Sequence, residues 1–278
     1  MNLIDAALLG VVEGITEFLP ISSTGHLIVA ASMLGIHGEP KVKTFEIAIQ
    51  IGAIFAVIWA YRVRFNGAIK GVTRVENAQR LFINLFVAFL PIAVLGLLFA
   101  KQIKLYLFNP YGVAAASIIG ALVIFWVERP SRRVDRSVEA RVRDVDNMTT
   151  LDALKVGFAQ CFGLIPGMSR SGSALIGGML FGLSRNVATE FSFFLGVPTL
   201  GVASLYSLWK DRDFLSTADI PAFAVGLVVS FVVALVVIRW LIRFVATNTL
   251  VVFAWYRIAF GAFILATGYF GWINWSPA

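Results

Sequence analysis

Apolar residues run for membrane-spanning lengths, with few or no charges among them, at roughly 44–61, 81–100, 111–128, 187–209, 220–241 and 249–272. Each run is long enough to cross a hydrocarbon core of about 30 Å as an α-helix. Four shorter runs come in pairs: about 3–16 with 24–36, and about 152–164 with 171–184. Pro20 and Gly25 interrupt the first pair; Pro166, Gly167 and Gly172 interrupt the second. Such short, broken segments predict re-entrant hairpins, because non-helical backbone at membrane depth is tolerated only where protein buries it or water reaches it. The pattern therefore predicts an all-α polytopic membrane protein with two hairpins and six spanning helices. The short alternating segments of a membrane β-barrel are absent.

The two broken pairs are related. A shift of 147 lays Asp5-Ala6 on Asp152-Ala153, Gly10 on Gly157, Glu13 on Gln160, Ser22 on Ser169, Thr24 on Ser171 and Gly25 on Gly172. A shift of 144 lays Glu46 on Glu190 and Gly52 on Gly196. We expect a single membrane domain over 1–278: repeat one at about 1–128, a cytoplasmic linker at about 129–151 and repeat two at about 152–272. Each repeat holds one hairpin and three spans. An odd number of crossings sends the second repeat in from the opposite face, the mark of an inverted-topology repeat, and such repeats bring their broken segments together near the midplane.

Composition sharpens this picture. The chain is 59% hydrophobic and 14% charged, against about a quarter charged for a soluble domain. Its net charge of +7 does not imply a nucleic-acid partner, because basic residues of membrane proteins collect in cytoplasmic loops. The segments 62–80, 129–155, 185 and 239–248 hold most of the lysines and arginines, including Arg132, Arg133, Arg136 and the rest of the run from Arg129 to Arg143. That side is expected to be cytoplasmic, with the basic run a solvated loop and both termini opposite. Only Arg170 and Arg257 fall at membrane depth. The start, with Asp5 and no basic stretch, does not read as a signal peptide. The single cysteine, Cys161, excludes an internal disulfide. The phenylalanines are expected to face lipid.

Ionisable groups inside a membrane segment are costly, which makes them candidate functional groups. Glu13 and Glu17 are four apart and share a helix face. Two carboxylates in one low-dielectric site repel, and a divalent cation, Mg²⁺ or Ca²⁺, would relieve them; Mg²⁺ commonly takes one or two carboxylates plus phosphates and water. Ser22, Ser23 and Thr24 open an apolar helix, where one hydroxyl serves as a cap and the helix N-terminus favours an anion. His26 lies one helical turn after Ser23, a candidate proton-transfer partner. In the second cluster, Ser169, Ser171 and Gly172 flank Arg170, whose fork suits phosphate oxygens. An arginine at depth without such a role would need a buried acid, such as Glu46 or Glu190. Arg257 is left between snorkelling and an acid partner, and His37 reads as a loop residue.

The segment Glu13-Gly-Ile-Thr-Glu17-Phe-Leu-Pro20-Ile-Ser-Ser23-Thr-Gly-His26, with Pro166-Gly-Met-Ser169-Arg170-Ser-Gly172, closely resembles the undecaprenyl-diphosphatase family, the bacitracin-resistance proteins of bacteria. The resemblance extends over essentially the whole chain. It implies an inner-membrane enzyme, its site open mainly to the periplasm, that hydrolyses undecaprenyl diphosphate to undecaprenyl phosphate and inorganic phosphate. It also implies a divalent metal at Glu13 and Glu17, a serine–histidine element at Ser23 and His26, and an arginine element at Ser169 and Arg170. On that basis Ser23 is the expected nucleophile, with water as the alternative, and His26 its base. Arg170, Ser169, Ser22, Thr24, Ser171 and Gly172 would bind the phosphates. Expected partners are the lipid substrate and the bilayer, with a homodimer left open. The competing reading is a transporter or flippase of a polyprenyl phosphate, since inverted repeats with broken helices are also a transporter architecture. A channel is weaker, because no continuous polar face runs along any span.

Overall fold

The computed structural model describes residues 1–129, 140–273 and 275, apart from the side chains of Ala100, Lys104 and Phe214. Among them the protein is helical throughout, without strands beyond one isolated bridge. Six helical stretches are long and apolar enough to cross a membrane: Pro40–Ala60, Glu76–Phe99, Pro110–Val127, Arg185–Lys210, Thr217–Thr247 and Val251–Phe270. These coincide with the six apolar runs. The first is built from two helices, α3 (Pro40–Ala48) and α4 (Gln50–Ala60), joined at Ile49. After α4 the chain turns at Tyr61 into α5 (Arg62–Gly71). The other spans are α6 (Glu76–Leu107), α7 (Pro110–Val127), α10 (Arg185–Lys210), α11 (Ile220–Thr247) and α12 (Val251–Phe270).

The short runs form two helix–turn–helix hairpins, α1 (Leu3–Thr16) with α2 (Ser23–Met33), and α8 (Thr150–Gln160) with α9 (Arg170–Leu180). Their local chemistry matches at the same offset of 147. Each opens on a reciprocal capping box, Asn2 with Asp5 and Thr149 with Asp152, which satisfies two orphan N–H groups at the helix start. Each enters its second helix through a serine at positive φ, Ser22 at 72° and Ser169 at 71°, and leaves it through a glycine at positive φ, Gly35 and Gly182. A left-handed serine costs free energy that the surroundings must offset.

Hairpin one packs α1 along α11; hairpin two packs α8 along α6; α12 lies along α7. Small residues set these distances. A Cβ on Gly10 would lie 2.8 Å from the Gly226 carbonyl, and one on Gly157 would lie 2.5 Å from that of Ala88. Phenylalanines do not all face lipid. Phe18, Phe45, Phe191, Phe193 and Phe194 are almost fully buried, and Phe18 meets Phe193 edge-on at 5.3 Å. The apolar interior needs filling as much as the lipid boundary does, and aromatic rings fill it between broken helices.

The linker is only partly a free loop. Arg132, Arg133 and Arg136 lie outside the described residues. Arg141 donates to the buried Asp152 carboxylate. Val142 N–H donates to the Gly182 carbonyl (3.2 Å), and Ser184 N–H to that of Val142 (2.9 Å). These contacts tie the linker's end to the base of hairpin two. Nearby, Glu128 accepts from Arg185 and from the Leu250 N–H, joining one end of α7 to the starts of α10 and α12. His37 lies in the turn after α2.

Candidate active site

The two hairpin turns meet. Ser171 Oγ donates to the Glu17 carbonyl at 2.9 Å, and Ser169 Oγ reaches that of Leu19 at 3.3 Å. Ser169 also caps its own helix, accepting from Gly172 N–H. Backbone of one hairpin is thus satisfied by hydroxyls of the other, as buried carbonyls require. The starts of α2 and α9, each a positive dipole end, are brought to one centre.

Glu17 stands at that centre, 6% exposed. Its Oε1 accepts from Arg170 Nη2 at 2.8 Å, and its Oε2 accepts from Ser23 Oγ at 2.7 Å. The buried acid that Arg170 needs is therefore Glu17, not Glu46 or Glu190; Glu190 lies instead 3.9 Å from Arg64 Nε. Arg170 Nη1 donates to the Ser192 carbonyl at 3.0 Å. Its Nε is buried without a hydrogen-bond partner. Gly196 makes the room: a Cβ there would lie 2.9 Å from Arg170 Nη2.

Glu13 is fully buried, and neither carboxylate oxygen has a hydrogen-bond partner. Its repeat counterpart is a control. Gln160 is equally buried, yet donates to the Ala88 carbonyl and accepts from Thr199. The same depth in the second hairpin is structurally satisfied, whereas in the first it is left open. Among the described residues no three histidines, cysteines or acids cluster as a ligand set. The unpartnered Glu13 carboxylate, with Glu17 one turn on, could hold a divalent cation, Mg²⁺ or Ca²⁺, if waters and phosphate oxygens completed the shell. Both Glu17 oxygens have partners, but each carboxylate oxygen has a second lone pair.

His26 is not on Ser23. Its Nδ1 lies 2.7 Å from the Ser22 carbonyl, and its Nε2 lies 2.7 Å from the Tyr256 hydroxyl. A carbonyl only accepts, so Nδ1 carries a proton, and in the neutral ring Nε2 accepts from the phenol. The ring stacks on Phe260 at 3.9 Å. The one-turn spacing that suggested a Ser23–His26 pair fails because the ring reaches back to the turn's backbone instead. The residue on Ser23 is Glu17. Ser22 carries no side-chain cap bond and contributes its carbonyl. Thr24 is half-buried, and Gly172 packs beside Pro20.

Two neighbouring residues of α12 had no assigned role in the sequence. Tyr256 fixes His26. Arg257 does not snorkel, and among the described residues it has no acid partner. It is 1% exposed and spends its guanidinium on five carbonyls. Nε donates to Ser117, Nη1 to Pro20 and Met168, and Nη2 to Ala116 and Gly167, all between 2.9 and 3.1 Å. Pro20 belongs to one turn; Gly167 and Met168 belong to the other. Gly120 gives it space, since a Cβ there would lie 2.0 Å from Nη2. A charged residue at depth with no acid at repeat spacing was the available signal.

Fold and site together define a polytopic α-helical membrane protein with a buried acid–hydroxyl–guanidinium centre. A family model described as bacitracin resistance protein BacA matches residues 6–263. A protein named undecaprenyl-diphosphatase from Methylibium petroleiphilum is 57% identical, covering 98% of each chain. One of the same name from Janthinobacterium sp. (strain Marseille) is 55% identical over 98% of this chain and 97% of its own. Undecaprenyl-diphosphatase 1 from Burkholderia cenocepacia is also 55% identical, with the same coverage. The chain belongs to the bacitracin resistance protein BacA family.

Proposed function

We propose that the protein hydrolyses undecaprenyl diphosphate to undecaprenyl phosphate and inorganic phosphate, recycling a lipid carrier and conferring bacitracin resistance. The observation that carries this reading is the Glu17 carboxylate held between Ser23 Oγ and Arg170. It places a hydroxyl, a proton acceptor for it and a phosphate-seeking cation in one buried centre. Phosphoryl transfer asks for little more than such positioning and charge neutralisation.

In this reading Ser23 Oγ attacks the terminal phosphorus while Glu17 accepts its proton. The bond from that phosphorus to the bridging oxygen breaks, and undecaprenyl phosphate leaves. Water then releases inorganic phosphate from the serine. Arg170 and the N–H groups at the starts of α2 and α9 hold the charge developing on the phosphate oxygens. Ser169 and Ser171 act by locking the two turns. A divalent cation, Mg²⁺ or Ca²⁺, would be held by Glu13 and Glu17 and would neutralise diphosphate oxygens. The groups assigned to the reacting atoms sit at or beside the two turns, the segments that an inverted pair of repeats would bring together. The excess of basic residues on one side favours that side as the cytoplasmic one, and the resemblance to the family supports a bacterial inner-membrane location with the site facing the periplasm.

The test is phosphate release by purified protein in detergent, where no compartment exists. Release is expected with Mg²⁺ or Ca²⁺ and none with excess EDTA. A flippase would release none in either condition, and EDTA-resistant release would remove the metal from the reading. Glu13→Gln is expected to raise the cation concentration for half-maximal release by at least about tenfold, as loss of one ligand charge would. Phosphoserine trapped by rapid quench would support Ser23; its absence would favour water. Tyr256→Phe deletes the hydrogen bond to His26, worth about 0.5–1.5 kcal/mol of stability, so Tm should fall slightly. His26 touches none of the reacting groups, so turnover should stay near wild type; a large loss of kcat would instead give the imidazole a part in the chemistry.

A further inference from the structure

A groove of about 570 Å³ runs between α4 and α11, and no residue of the Glu17 centre lines it. Phe55, Leu227, Val228 and Phe231 form its apolar walls, and Arg62 and Asn66 stand at one end by helix order. From Gly52 to Ala60 the helix rises about 12 Å at 1.5 Å per residue. One leaflet of the hydrocarbon core is about 15 Å thick, so the groove has roughly the length of one lipid chain, with the polar pair just past its end. Phe55 and Val228 are 57% and 62% exposed, so the groove opens to the membrane side.

The polar end is built for an anion. Arg62 is fixed by donation to the Trp59 carbonyl at 3.2 Å and by its position 5.2 Å over the Trp59 ring. Among the described residues it has no carboxylate partner, unlike Arg64, which pairs with Asp146 at 2.6 Å. Asn66, one turn on, adds amide donors. The same short helix exposes Val63 and Ile69 beside Lys70, the mixture of apolar and basic groups that settles at an anionic interface.

We infer that this groove binds an anionic phospholipid of the surrounding bilayer, its chain along α4 and α11 and its phosphate at Arg62 and Asn66. The test is native mass spectrometry of the detergent-purified protein with added dioleoyl phosphatidylglycerol or dioleoyl phosphatidylcholine. The wild type is expected to retain phosphatidylglycerol about fivefold better, the preference that one basic side chain at a membrane surface confers. Arg62→Ala should erase the preference, Arg62→Lys should keep most of it, and Val228→Trp, which fills the groove from an exposed position, should lower retention of both lipids. Equal retention by the wild type, or a preference that survives Arg62→Ala, would overturn the inference. So would unchanged occupancy in Val228→Trp. Displacement of phosphatidylglycerol by farnesyl phosphate at equal concentration would assign the groove to a prenyl lipid instead.

Discussion

Glu17→Gln should lower phosphate release by about 10²–10⁴-fold, the usual contribution of a positioned general base. The amide is nearly the same size and can still accept from Ser23 Oγ, but it cannot take the proton, and it no longer neutralises Arg170. Glu17→Ala goes further. It leaves a guanidinium 9% exposed with no acid, and breaking a buried pair from one side costs about 3–5 kcal/mol. The double variant Glu17→Ala/Arg170→Ala should regain much of that stability, because no unpaired charge remains, and none of the turnover. Stability and activity thus separate in one cycle. Turnover of Glu17→Gln close to wild type would end the proposed mechanism. Full stability of Glu17→Ala would mean that the pair is not closed in the membrane.

Arg257→Lys is the second large effect expected. Lysine keeps the charge but has three donors on a point-like head, whereas five carbonyls are served by the planar fork. At least two acceptors then go unpaired in a dry interior, at about 1–3 kcal/mol each. Pro20 and Met168 share one guanidinium nitrogen, Nη1, so the loss falls on the contact that aligns the turns. A misplacement of about 1 Å between reacting groups can cost roughly 10²-fold in rate. We expect a turnover loss of that order together with a lower Tm, although residue 257 touches none of the reacting groups. Gly120→Ala should mimic it in part, by pushing the same guanidinium. Wild-type turnover and Tm in Arg257→Lys would show that the turns are aligned by the serines alone.

These two cases mark what was legible in the chain. The six spans and two hairpins follow from local properties: run length, proline, glycine and the offset of 147. The residues of the centre were also legible, because acids, hydroxyls and an arginine are conspicuous in an apolar chain. Their pairing was not. Helical spacing joins His26 to Ser23, but the ring turns back onto the Ser22 carbonyl and outward to Tyr256, 230 residues away. The sequence offered Glu46 or Glu190 as an acid for Arg170, and only the fold selects Glu17. Arg257 was hardest to read, since its partners are backbone carbonyls that leave no mark in side-chain identity.

The sequence distance between Arg257 and the turns it joins shapes how the molecule is put together. Beside the positive-φ residues Ser22 and Ser169, the carbonyls of Pro20, Gly167 and Met168 are held by Arg257 of α12, which is synthesised 237 residues after Pro20. The serine and carboxylate contacts between the hairpins can form as soon as both hairpins exist. The guanidinium latch cannot, so a nascent chain with both hairpins inserted still lacks one of the two ties between their turns until α12 joins them.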